Sequence, residues 1–143
     1  MTFVDKLFLF LLFLIVVFIP ILLKKNNSAP REQLITINGG TYDVDVMFFI
    51  SSDTSKAVRM ARKYIDSTVT AEDFNSRGTT LSSEGPILVW LPSINDKGVI
   101  NHELLHATIA VMSWAGVPFD ESTEESYAYE LQYLTNQFYN KIK

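Results

Sequence analysis

The sequence predicts an α+β domain tethered behind one N-terminal membrane-spanning helix. Three observations predict it. Residues 7–23 (LFLFLLFLIVVFIPILL) contain no charge. Two short runs, Tyr42–Ile50 and Ile87–Leu91, are rich in strand formers. Three later stretches carry caps and apolar spacing suited to helices.

The apolar N-terminal run of 17 residues is at the short end of what crosses a hydrocarbon core. A cleaved signal peptide would have a shorter apolar region and a small-residue cleavage site. Ser28-Ala29 is the nearest such site, and Pro30 directly after it makes it a poor one. A retained single-pass anchor over residues 1–25 (or an uncleaved signal) is therefore expected. Pro20 is tolerated in a bilayer span. Lys24, Lys25 and Arg31 follow the span and Lys6 precedes it, a small bias that places the domain on the cytoplasmic side. Residues 26–41 read as a linker, polar at first and carrying Pro30.

Within that stretch Leu34–Asn38 can form a short strand, closed by Gly39-Gly40. Tyr42–Ile50 alternates, with Tyr42, Val44, Val46, Phe48 and Ile50 on one face and Asp43 and Asp45 opposite. Asp53 caps a helix to about Asp66, whose apolar stripe is Ala57, Val58, Ala61, Tyr64 and Ile65. Lys56, Arg59, Arg62 and Lys63 cover the rest as a solvated face. Residues 68–84 are mixed and polar and show no period. Gly85-Pro86 makes a turn, and ILVWL (Ile87–Leu91) follows as a strand stopped by Pro92. Asn95 or Asp96 caps the next helix, which runs to about Ala115, with Gly116 and Pro118 ending it. Ser122 and Glu125 have capping-box spacing before a last helix at about Thr123–Lys141. Residues 42–143 are expected to form one domain.

Composition narrows the function classes. The chain has no cysteine, which excludes disulfides, thiolate metal sites and thiol catalysis. Setting aside Lys6, Lys24, Lys25 and Asp5 from 12 basic and 16 acidic residues leaves 9 and 15, about −6 for the remainder. A nucleic-acid binder would show a basic face, so none is expected here.

The chemistry is concentrated in His102-Glu103-Leu104-Leu105-His106. Residues four apart share a helical face, so both imidazoles can address one ion. Neutral imidazole suits Zn2+, and a carboxylate at the second position can accept a proton from water activated there. These are the only two histidines of the chain. A catalytic zinc site uses three protein ligands and an open position, so the third ligand has to be an oxygen donor. Position 112 is Met, which rules out a third histidine six residues past His106. Glu125 is the first candidate and Glu124 the second; partnership with Ser122 in a capping box is the competing role for Glu125. Asp120 and Glu130 are candidates to orient a ligating histidine. Tyr127, Tyr129 and Tyr133 are candidates to stabilise a developing oxyanion. The strand Ile87–Leu91 is the candidate for aligning an extended peptide or protein substrate.

With these residues in view, the chain resembles the zincins, specifically the glutamate-ligand branch with HExxH on a helix and an acidic residue on the next. It is similar to small, largely uncharacterised HExxH proteins of tailed bacteriophages. Those join a strand of the ILVWLP kind to HExxHA, a helix ending in Gly, and a later E-x-x-A-Y, here Glu125-Ser126-Tyr127-Ala128-Tyr129. The resemblance spans about Tyr42–Phe138 and supports Glu125 over Glu124. It implies a small zincin-like domain: a short antiparallel or mixed sheet, an active-site helix and a C-terminal helix. It also implies a zinc metallopeptidase-like hydrolase, without naming a substrate. The alternative class is a zinc-stabilised binding or structural module with no turnover.

Overall fold

The computed structural model describes residues 32–83 and 85–142. The expected anchor, residues 1–25, lies outside them. Among the described residues no helix is long and apolar enough to cross a membrane.

Strands β1 (Gln33–Asn38), β2 (Asp45–Ile50), β3 (Thr79–Ser82) and β4 (Ile87–Leu91) form one sheet in the order β1-β2-β4-β3. The β1/β2 and β3/β4 ladders are antiparallel, and β2/β4 is parallel. Helix α1 (Thr54–Tyr64) connects toward β3 and β4; α2 (Lys97–Trp114) and α3 (Glu124–Lys141) follow. The α+β class of the sequence reading holds, with three helices and a mixed sheet among the described residues.

Period-two patterning divides the sheet between two cores. Val46, Phe48 and Ile50 of β2 and Ile87, Val89 and Leu91 of β4 point to one face. There they meet Ile100, Leu104, Ala107 and Val111 of α2 and Leu134 and Phe138 of α3. Met47, Phe49, Leu88 and Trp90 point to the other face, against Ala57, Val58 and Ala61 of α1. The central strands are therefore buried on both sides, which explains their nearly continuous apolar composition. Each fully buried Leu, Ile, Phe or Val stabilises the fold by roughly 1.5–3 kcal/mol. Trp90 Nε1 donates to the Ser51 carbonyl at 2.8 Å, so the indole polar edge is satisfied within the core.

The helix ends follow local chemistry. The Asp53 carboxylate accepts from the Ser55 and Lys56 amides, and Asp96 Oδ1 accepts from the Val99 amide at 3.1 Å. At the end of α2, Gly116 takes φ +69°. Its amide bonds to the Ser113 carbonyl and the Val117 amide to the Met112 carbonyl, closing the last turn in a Schellman pattern.

Several sequence expectations are corrected. The stretch expected as linker to residue 41 contributes β1, whose Ile35 and Ile37 enter the core. The strand expected from Tyr42 starts at Asp45, because residues 40–42 form a 3-10 turn and Asp43 adopts φ 48°. The unassigned stretch 68–84 contains a 3-10 turn at Glu72–Phe74 and the whole of β3. The Ser122–Glu125 capping box does not form. The Ser122 hydroxyl and amide both donate to Asp120 Oδ1, and α3 begins at Glu124.

Candidate metal centre and cleft

Helix α2 lies over β4 and the edge strand β3, and the two histidines face out along it. Its inner stripe is Ile100, Leu104, Ala107 and Val111. Helical spacing then turns His102 and His106 to the opposite, exposed face. The two Nε2 atoms lie 3.0 Å apart, and the rings meet edge-on with centroids at 4.6 Å. The two nitrogens are thus within hydrogen-bond distance of each other. Two nitrogens on a tetrahedral zinc at the usual bond length sit about 3.3 Å apart, so a few tenths of an ångström of opening would suit the ion. In this respect the pair fits zinc.

The third ligand is a different matter. Among the described residues no three of His, Asp, Glu and Cys gather around a common point. Glu124 and Glu125 are exposed in the first turn of α3. Tertiary packing explains the separation, since α3 lies beside α2 on the sheet, with Leu134 and Phe138 in the shared core.

Glu103 is buried, at 4% exposure, on the side of α2 that meets β3. The Thr80 hydroxyl donates to Glu103 Oε2 at 2.7 Å. Gly78 stands just before the strand. A Cβ there would come within 2.9 Å of Glu103 Cγ and Oε1 and 2.8 Å of Val99 Cγ1. Glycine is what lets the β3 backbone close on this carboxylate. Sequence reasoning missed Gly78 and Thr80, both in the stretch without a period. The available signal was the Gly78-Thr79-Thr80-Leu81 run, a glycine entering a β-branched pair.

Two hollows flank the motif. One, about 370 Å³, is bounded by Gly78, Asp96, Val99, His102 and Glu103. Asp96 is held below the usual carboxylate range, chiefly by the Val99 amide and further by the Arg77 guanidinium. The second, about 500 Å³, runs between Thr80 and Ser82 of β3 and His106, Ile109 and Trp114. Leu105, Ile109 and Trp114 are 46%, 44% and 50% exposed, so apolar surface borders the histidines. Each hollow is a cleft between α2 and β3 or the residues flanking it.

The strand expected to align substrate, Ile87–Leu91, is paired on both sides, to β2 and to β3. Its hydrogen-bonding groups are committed to the sheet. The outer strand at this side is β3.

The remaining candidates are engaged elsewhere. The Tyr127 hydroxyl donates to the Val117 carbonyl at 2.9 Å and pins the turn between α2 and α3. Asp120 organises the same turn, and its carboxyl is lowered chiefly by the Ser122 hydroxyl and amide. The Tyr133 hydroxyl donates to the Asn38 carbonyl at 3.1 Å. Tyr129 is 67% exposed on α3. Glu130 is buried on α3 beside residues 40–42.

No protein-family model, no curated protein and no solved structure matches this chain.

Proposed function

We propose that the chain is a membrane-anchored zinc-dependent hydrolase, a metallopeptidase of the HExxH type. The observation that supports it most is the convergence of His102 and His106 Nε2 at 3.0 Å on the cleft-lining helix, with Glu103 between them in sequence. Zinc, when bound, would polarise the scissile carbonyl and make water acidic enough to attack it. The two imidazoles would hold the ion. Glu103 would take the proton of the attacking water and return it to the departing amine. An extended peptide would add to the outer edge of β3, by main-chain pairing, with an apolar side chain against Ile109 and Trp114. Glu125, with Glu124 second, remains the proposed third ligand, and reaching the ion from α3 requires the connection at residues 115–123 to rearrange.

The decisive experiment compares the full-length chain with Glu103→Gln, both loaded with zinc, on a library of unstructured peptides. The expected result is cleavage by the native chain and a loss of about 10²–10⁴-fold in the variant at equal zinc content. Equal cleavage by both would refute the assignment of Glu103.

One observation favours a second reading, a zinc-stabilised module without turnover. Glu103 is almost fully buried and its Oε2 already accepts a hydroxyl hydrogen bond from Thr80, so it also serves as a strut between α2 and β3. Under that reading chelation lowers the melting temperature and no peptide is cleaved.

A further inference from the structure

A third hollow lies away from the histidines, where α3 passes the turn between β1 and β2. Its volume is about 340 Å³, and it is lined by Tyr42, Ser126, Tyr129, Glu130 and Tyr133 with Gly40 and Thr41. Glu130 is 94% buried, since only 6% of it is exposed, and its Oε1 has no hydrogen-bond partner. A buried carboxyl oxygen with no partner costs about 1–3 kcal/mol, so its retention at such a place calls for a compensating contact. No lysine or arginine lines the hollow among the described residues. Three tyrosine rings do. Tyr133 is held in place by its hydroxyl bond to the Asn38 carbonyl. Gly40, at φ +60°, brings the backbone close to that ring, where an added Cβ would rest on it at 3.5 Å.

A carboxylate without a counter-ion, set among tyrosine side chains, is an arrangement that can bind organic cations. A divalent metal ion would need several oxygen donors, and the lining supplies a single carboxylate. We propose that this hollow is a binding site for an organic ammonium group, such as an alkylated amine or a lysine side chain of a partner. The cation would satisfy the Glu130 carboxylate and rest on Tyr129, Tyr133 and Tyr42. The site is separate from the histidine pair and does not depend on zinc chemistry. Burial alone raises Glu130 from its ordinary 4.5 to about 7, so the site would carry its charge mainly above neutrality.

The test is a titration of the full-length chain, in non-ionic detergent, with tetramethylammonium chloride, followed by the NMR resonances of the tyrosine rings. Sodium chloride controls for ionic strength and tert-butanol for an uncharged group of similar shape. The expected result is a saturable shift of the Tyr133 and Tyr42 signals with tetramethylammonium only. Affinity should fall at least about tenfold in Glu130→Gln and several-fold in Tyr129→Ala, an exposed position where the fold is insensitive to the change. It should also fall by about tenfold between about pH 8 and pH 6, as the carboxyl takes up its proton. Repeating the titration with methylammonium distinguishes a site for alkylated amines from one that takes any ammonium. Equal shifts with tert-butanol, no saturable shift, or unchanged affinity in both variants would overturn the proposal.

Discussion

The Thr80 hydroxyl donates to Glu103 Oε2 at 2.7 Å, joining the edge strand β3 to the helix that carries both histidines. This bond fixes the carboxylate at the wall of the cleft. It also satisfies one oxygen of a carboxyl that is 4% exposed. Thr80→Val keeps the β-branched shape and removes the donor. The expected outcome is a loss of about 1–3 kcal/mol in urea unfolding, as a buried acceptor loses its partner. Thr80→Ser should recover most of it. A Thr80→Val variant as stable as the native chain would show that water replaces the hydroxyl freely.

Gly78 sets how closely β3 approaches. Its substitution by alanine would place a methyl 2.8 Å from Val99 Cγ1 and 2.9 Å from Glu103 Oε1. The strand entry or the carboxylate then has to move. Gly78→Ala should destabilise by about 1–3 kcal/mol, as overpacking of this kind does. If Glu103 is the base, turnover should fall more than stability explains, because misplacing a reacting group by an ångström costs about a hundredfold. Calorimetry and peptide cleavage on the same preparation read the two effects separately.

Zinc binding at the His102–His106 pair predicts a stability that depends on the ion. A ligand at a hundred times its Kd stabilises the folded state by about 2.7 kcal/mol, so EDTA should lower the melting temperature by several degrees. His102→Ala and His106→Ala should each abolish that response. Glu125→Ala tests the proposed third ligand in the same assay. A response equal to that of the native chain would remove Glu125 from the donor set.

Glu130 makes stability depend on pH. Its folded value of about 7 stands above the ordinary 4.5, through burial. Between those values the folded chain holds the proton and the unfolded chain has released it. The contribution is therefore complete below about pH 4.5 and is lost as pH rises to about 7, beyond which it stays constant. Glu130→Gln should flatten this slope. Relative to the native chain the variant should gain about 1–3 kcal/mol on going from acid to pH 8, read by urea unfolding across that range. Parallel profiles for the two proteins would show that the carboxyl is hydrated in the folded state.

Much of the fold is legible in local sequence, because its causes are local. Alternation over Tyr42–Ile50 and the run Ile87–Leu91 mark the two central strands, the first of which starts at Asp45. Asp53 and Asp96 mark helix starts through amide bonds two and three residues ahead, and Gly116 marks a helix end through its positive φ. The spacing of His102 and His106 is enough to bring their nitrogens together, since a helix turn does the positioning.

What depends on long-range packing is not legible in this way. Strand β3 is four residues of partly exposed Thr, Leu and Ser, with no apolar period, and exists because β4 offers it an antiparallel partner. That pairing commits both edges of Ile87–Leu91 and moves the outer edge of the sheet to β3. The positions of Glu124 and Glu125 follow from where α3 packs, and the core contacts of Leu134 and Phe138 set it on the sheet beside α2. Glu130 and its tyrosines are brought together with Gly40 across some ninety residues by the same packing. Local sequence is enough to place the histidine pair on its helix, through hydrogen bonds that reach only one turn. Which carboxylates and which strand edge lie near that pair follows from long-range packing, because burial of the two apolar cores, not local preference, sets how helices and strands lie across one another.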